Sequence, residues 1–215
     1  TVHCFELNPP QLAALEANAR QNRLSNVVIN AKGLWSTAGF IELVGHDSHA
    51  WPRFVAQRTD NAFPVTTVEA YASGAGIDTI DAIMLDIEGG EEAALRGALR
   101  FIELPAAKAP EIVFEIHRSY VDWSNGLGQT SVVKMLTDRG YHVCALRDYQ
   151  AHVDMTGRVL EMVSLESAYL EGPPHGFNLF ATKRHNRLNE LGATLREGVS
   201  PKLLRHRLSP LHQPG

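Results

Sequence analysis

Two cysteines in 215 residues, Cys4 and Cys144, stand far apart and belong to no CxxC or Cys/His cluster, so neither a disulfide framework nor a zinc site is indicated. No run approaches the 18 apolar residues of a membrane span, and the N-terminus lacks a basic region followed by an apolar signal core. The sequence has no excess of positive charge either. A net charge of -4 and a pI near 6.2 leave no basic stripe for phosphates, which makes nucleic acid an unexpected partner. A reducing, cytoplasmic setting and a small or neutral substrate are the plain expectations. What remains is ordinary globular material, 44% hydrophobic and 20% charged, enough for one α/β domain with a tail.

Short β-branched runs alternate with helical periodicity, the pattern of a mainly parallel sheet with crossover helices. Val2 to Glu6 reads as a first strand. Asn8-Pro9-Pro10 then opens a helix to about Asn22, with Leu12, Leu15 and Ala19 on one face. Strands are predicted at Asn26 to Ala31, Phe40 to Leu43 and Phe63 to Thr66, with a polar surface loop between the last two that holds His46 and His49. Asp81 to Ile87 is apolar up to Asp86 and reads as a strand buried on both faces. A helix follows with Leu95, Leu99 and Ile102 toward the sheet. Glu111 to His117 is a further strand, Ser131 to Arg139 a helix, Tyr141 to Leu146 a strand and Phe177 to Thr182 the last strand of the body. Residues 148–175 read as an excursion over the sheet. Residues 184–215 carry six Lys/Arg against two acids and read as a basic tail, weakly helical or disordered, after a domain of residues 1–183.

In an open parallel sheet, functional groups gather beyond the carboxyl ends of the strands. Three such ends carry acids here. Glu6 is placed to accept hydrogen bonds from ribose hydroxyls, or else to favour the next helix N-terminus. Asp86 and Glu88 flank one residue, and a carboxylate closing so apolar a run needs partners or solvent. The two could act in general base catalysis or bind a hard cation, whereas Glu91 and Glu92 are read as complementing the helix dipole. Glu115 and His117 share one strand face, as a catalytic or a structural pair. Gly126-Leu127-Gly128 lacks a third glycine and reads as a turn before the helix.

The segments FELNPPQLAALEANARQN, IDAIMLDIEGGEEAALRGA, PEIVFEIH and GFNLFATK together resemble the FkbM family of S-adenosylmethionine-dependent methyltransferases, over Val2 to about Lys183. Asp86-Ile87-Glu88-Gly89, followed by Glu91 and Leu95-Arg96-Gly97-Ala98, is the most specific part. The resemblance implies a Rossmann-like class I methyltransferase sheet and methylation of a hydroxyl on a sugar, glycan or polyketide-type small molecule. It implies Glu6 on the cofactor ribose, Gly33 and Leu34 beside the adenine, Asp86 and Glu88 near methyl donor and acceptor, and Glu115 and His117 on the substrate side. Cofactor contact thus falls to Glu6, Gly33, Leu34 and Asp86, catalysis to Asp86, Glu88, Glu115 and His117, and no metal is expected.

Two departures from the family pattern follow. Met84 stands where members usually carry a lysine, and the family's first strand and glycine-rich loop should precede FEL while the sequence opens at Thr1. The expectation is a fragment of a longer protein, with either a slot between Val2 to Glu6 and Asp81 to Asp86 or direct pairing of those strands. An NAD-dependent oxidoreductase and a non-catalytic methyltransferase-like module are the competing readings; Asp86-Ile87-Glu88-Gly89 has no hydride-transfer role.

Overall fold

The computed structural model describes residues 1–44, 51–55, 57–147, 156–168 and 176–199. The chain is a mixed α/β protein that divides into two compact units, residues 1–78 with 93–99, and residues 79–92 with 100–215.

In the first unit, β1 (Val2–Phe5) and β2 (Val27–Asn30) pair in parallel around helix α1 (Pro9–Gln21). Asn8 is extended ahead of the two prolines, which lack the N–H groups that a helix start leaves unpaired anyway. Leu12, Leu15 and Ala19 are the half-buried positions of an otherwise exposed helix, so the expected face is the one that packs. A second sheet has the order β3-β6-β4-β5, from β3 (Gly33–Leu34), β4 (Gly39–Val44), β5 (Trp51–Val55) and β6 (Ala62–Thr66). The polar stretch expected as a loop is therefore partly an edge strand, held to β4 by the ladder and by an Arg53–Glu42 ion pair of 2.6 Å. Pro52 is compatible with that position because an edge strand need not donate on both sides. His46 and His49 lie outside the described residues. Helix α2 (Val68–Ala75) is capped by Thr67 Oγ1, which accepts from the Ala70 amide at 2.9 Å, and by Gly76 at φ 66°. Its Tyr71 packs edge-on to Phe5 and shares a 2.7 Å hydrogen bond with His3 Nδ1, fixing α2 to β1.

The second unit is built on a six-stranded sheet of order β12-β10-β9-β11-β8-β7. Its strands are β7 (Ala82–Leu85), β8 (Glu111–His117), β9 (His142–Leu146), β10 (Glu161–Ser164), β11 (Gly176–Thr182) and β12 (Thr194–Arg196). β7 and β8 are parallel, β11 runs antiparallel between β8 and β9, and β10 is antiparallel to β9. Helices α3 (Glu91–Arg96) and α4 (Leu99–Ile102) follow β7, residues 93–99 of this stretch belonging to the first unit, and α5 (Ser131–Thr137) precedes β9. Leu95 and Ile102 are buried and Leu99 is half-buried. Phe101, Ile112, Phe114, Leu136, Ala145 and Leu179 are fully buried in the core. Gly126-Leu127-Gly128 lies in and before a short 3-10 turn at Leu127–Gln129, ahead of α5 as expected.

Several expectations change. β7 is an edge strand, and its residues alternate between exposed and buried: Met84 is 76% exposed while Ile83 and Leu85 are buried. One face of this run is covered and the other open, which the sequence of the run does not reveal. Among the described residues β1 pairs with β2 alone and β7 with β8 alone, so the two strands do not pair directly. The excursion at 148–175 contributes β10; its residues 148–155 and 169–175 lie outside the described part. Residues 184–199, expected as the start of a tail, form α6 (Arg187–Glu190) and β12, which adds to β10 in parallel. Charge places them: Arg184 and Arg187 both meet Glu111, and Arg196 meets Glu161 at 3.3 Å. Residues 200–215 lie outside the described part. Among the described residues no helix is long and apolar enough to cross a membrane.

Candidate active site

Asp86 follows β7 directly and enters the turn Ile87-Glu88-Gly89-Gly90, which delivers the chain into α3. The backbone there is unusual. Glu88 has φ 55° and Gly89 φ 93°, two consecutive left-handed residues, the first of which carries a side chain. Such a conformation costs on the order of 1 kcal/mol for a non-glycine residue and persists only where its surroundings impose it. Two groups impose it here. Glu91, 5% exposed, folds its carboxyl back so that Oε1 accepts from the Ile87 amide at 2.9 Å. Burial pushes its pKa up, against the pull of the backbone hydrogen bonds it accepts. Tyr120 occupies the space where a Gly89 side chain would be: a Cβ on Gly89 would lie 2.8 Å from Tyr120 Cβ and Cγ. The Tyr120 hydroxyl bonds to Glu88, and burial together with that carboxylate pushes its pKa up to about 12. Glu91, read from sequence as a dipole partner, is thus a clamp on the turn, and Tyr120 is its second support.

β8 supplies the other two expected residues. Since Leu85 faces Phe114 across the parallel ladder, the next pair is Asp86 and Glu115, and their carboxyl groups are hydrogen-bonded. Asp86 keeps more than a third of its surface, yet its carboxyl end is partly desolvated. That burial raises its pKa first, the neighbouring Glu88 charge raises it further, and the bond to Glu115 opposes both. His117 lies two residues on, half-buried, with its ring 5.3 Å from that of Tyr120. Its Nδ1 accepts from the Ser119 amide at 3.0 Å. The nitrogen facing an N–H must be the unprotonated one, so the neutral ring carries its hydrogen on Nε2 and presents a donor there.

β11 makes room for this group. Gly176 pairs with His117, and a Cβ on Gly176 would fall 2.5 Å from Glu115 Oε1 and 2.7 Å from His117 Cδ2. Asn178, directly opposite Glu115, is the one residue of β11 that is not fully buried. Both were missed from sequence, although a polar residue inside GFNLFAT was a usable signal. Residues 118–124, after β8, curl around a cavity of 360 Å³. Trp123 in this loop stacks on Phe177 at 5.4 Å, so it packs under the loop. Trp51 is 47% exposed on β5. Among the described residues no group of three or more His, Cys, Asp or Glu is arranged to hold a metal ion.

Asp86, Glu88, Glu115 and His117 therefore meet at one end of the second unit's sheet. The remaining expected residues belong to the first unit. Glu6 directly follows β1, half-buried, its Oε1 accepting from the Asn8 amide at 2.7 Å, which orients the carboxylate. Gly33 is buried, and a side chain there would meet Leu7 at 2.9 Å and Val65 at 3.0 Å, so only its backbone is available to a ligand. Leu34 beside it is half-buried.

A methyltransferase FkbM domain family model matches residues 1–143. The crystal structure of methyltransferase FkbM from Methylobacillus flagellatus KT is similar at 19% identity, over 53% of this chain and 25% of that one, with a TM-score of 0.37. The chain thus spans about a quarter of the length of that protein. No curated protein matches the chain. The match covers β1 to α5 and reaches only the first two residues of β9, both groups of expected site residues included, and the chain belongs to the FkbM methyltransferase domain family.

Proposed function

We propose that the chain carries out S-adenosylmethionine-dependent O-methylation of a hydroxyl on a sugar, glycan or polyketide-type small molecule, within a Rossmann-like framework. The observation that carries this reading is the hydrogen-bonded Asp86–Glu115 carboxyl pair beside the His117 Nε2 donor, in a chain of this family. S-adenosylmethionine, when bound, supplies an electrophilic sulfonium methyl. The residues present suit such a group: Glu6 is an oriented acid matched to ribose hydroxyls, and the Gly33–Leu34 backbone and Leu34 side chain offer an apolar border for the adenine.

A neutral hydroxyl is a weak nucleophile, so its proton must be taken as the new bond forms. Two carboxyl groups sharing one proton leave one carboxylate able to accept it. His117, with Nδ1 occupied, donates from Nε2 to the acceptor oxygen and orients it instead of deprotonating it. Glu88 holds the Tyr120 side of the site. Alignment of the oxygen with the methyl carbon supplies much of the rate.

The test offers methyl-labelled S-adenosylmethionine to the chain with a panel of monosaccharides, glycosides and polyketide alcohols. A labelled methyl ether supports the reading, whereas label on nitrogen or carbon refutes it. Binding calorimetry on Glu6→Ala should show cofactor affinity weakened by about 1 to 3 kcal/mol, the cost of charged hydrogen bonds left unmade. Unchanged affinity removes Glu6 from the site.

A further inference from the structure

The carboxyl pair raises a question that proton sharing leaves open, namely which of the two is the charged member. Three observations on β11 and β8 bear on it. Asn178 is paired with Glu115 in the antiparallel ladder, so the two side chains leave the sheet on the same face, with Cβ atoms about 5 Å apart. The Glu115 carboxyl leans onto β11, since Oε1 comes within 2.5 Å of where a Gly176 Cβ would stand. Asp86 bonds to Glu115 from the other flank, on β7. Glu115 is thus the middle of a row running Asp86, Glu115, Asn178 across three adjacent strands, and Asn178 is the polar side chain of β11 directly opposite it, Thr182 on the same face lying four residues away opposite His142.

We propose that Asn178 is a positioning residue whose side-chain amide donates to Glu115, keeping Glu115 as the carboxylate that receives the acceptor proton while the shared proton stays on Asp86. The inference rests on the methyl-transfer reading for its purpose, though not for its geometry. An amide N–H favours the charged form of the carboxylate it faces, and Asn can supply two such donors. On the other flank the partial desolvation of its carboxyl end and the nearby Glu88 charge favour a neutral Asp86, against the bond to Glu115, which favours its charged form. Among the described residues the other titratable groups around the pair are Glu91 on the turn, Tyr120 beyond β8 and His117 on β8. Glu88 and Glu91 disfavour a second negative charge on Asp86, so they act in the same direction as the proposal. The proton balance is complete: the acceptor O–H bond breaks, its proton goes to Glu115, and the oxygen bonds to the methyl carbon as the sulfonium leaves as a neutral thioether.

Residue-resolved titration decides it without any acceptor or cofactor. The full chain is prepared with 13C-labelled Asp and Glu carboxyl groups, Asp86→Asn and Glu115→Gln providing the assignments. In the unaltered chain the upper step of the pair should be seen at the Asp86 carbon. Asn178→Leu should raise the Glu115 midpoint by about one pH unit, and Asn178→Gln should restore most of the shift. The proposal is overturned if the upper step belongs to Glu115, or if Asn178→Leu leaves Glu115 where it was. Should Asn178→Leu fail to fold, the assignment in the unaltered chain decides by itself. A chain that titrates as expected but transfers no methyl group sinks the methyl-transfer reading and leaves this one standing.

Discussion

Arg147 and Glu161 form the most completely buried ion pair among the described residues, and its removal in two different ways gives opposite outcomes. Arg147 Nη1 donates to Glu161 Oε2 at 3.0 Å, with side chains 0% and 7% exposed. Arg147 Nε and Nη2 are buried with no hydrogen-bond partner, whereas Glu161 has a second cation in Arg196 at 3.3 Å. The pair is therefore lopsided. Glu161→Leu strands a guanidinium away from water, at about 3 to 5 kcal/mol. Arg147→Met leaves Glu161 with Arg196 and also removes two unpartnered donors, each of which costs about 1 to 3 kcal/mol while buried. The double variant, Arg147→Met with Glu161→Leu, should recover at least about 2 kcal/mol of the loss in Glu161→Leu, since no buried charge remains uncompensated. Arg196, 31% exposed, keeps its water and adds under about 1 kcal/mol to either outcome. Urea unfolding followed by Trp123 emission, with Trp35 and Trp51 changed to Phe, reports on the second unit. At a slope near 2 kcal/mol/M, Glu161→Leu should lower the midpoint by roughly 1.5 to 2.5 M. If the double variant is less stable than Glu161→Leu alone, the pair stabilises the fold outright and the reasoning from desolvation fails.

Three further predictions follow from the same geometry. Gly176→Ala should change stability by under about 1 kcal/mol, since Glu115 can rotate away and the less flexible unfolded chain offsets the strain; methyl transfer should fall about 100-fold as the carboxyl moves by nearly 1 Å. Full turnover in that variant would mean that the Glu115 position is immaterial. Asp86→Asn should be more stable than the unaltered chain at pH 7, because a raised folded pKa stabilises only below the ordinary carboxylate range and is lost as pH rises through the folded value. The difference should close as pH falls toward 4, and denaturation curves at both ends check it, while turnover should drop far more than cofactor affinity. Deleting residues 186–215 strips Glu111 of Arg187 and Glu161 of Arg196 and removes β12. The expected loss is about 2 kcal/mol, or roughly 4 to 8 °C in Tm; an unchanged Tm would show that the docked segment contributes nothing.

Local chemistry determined much of this protein by itself. The Asn8-Pro9-Pro10 start of α1, its Leu12-Leu15-Ala19 face, the strand at Glu111–His117 and the acids at the ends of β7 and β8 were legible because each is encoded within a few residues. Periodicity, capping and turn chemistry act at that range. The edge position of β7 depends on which strands pair with it, and the exposure of Met84 on which face of that strand is covered. The strands at Trp51–Val55, Glu161–Ser164 and Thr194–Arg196 form where partners β4, β9 and β10 offer a ladder, overriding polar composition. The site divides in the same way. Asp86, Glu88, Glu115 and His117 could be named from strand ends, but the Asp86–Glu115 bond needs the parallel register of β7 and β8. Gly176 and Asn178 enter only because β11, some 60 residues later in the chain, lies antiparallel beside β8. A hydrogen-bond partner across a ladder is set by register, and register is a property of the assembled sheet.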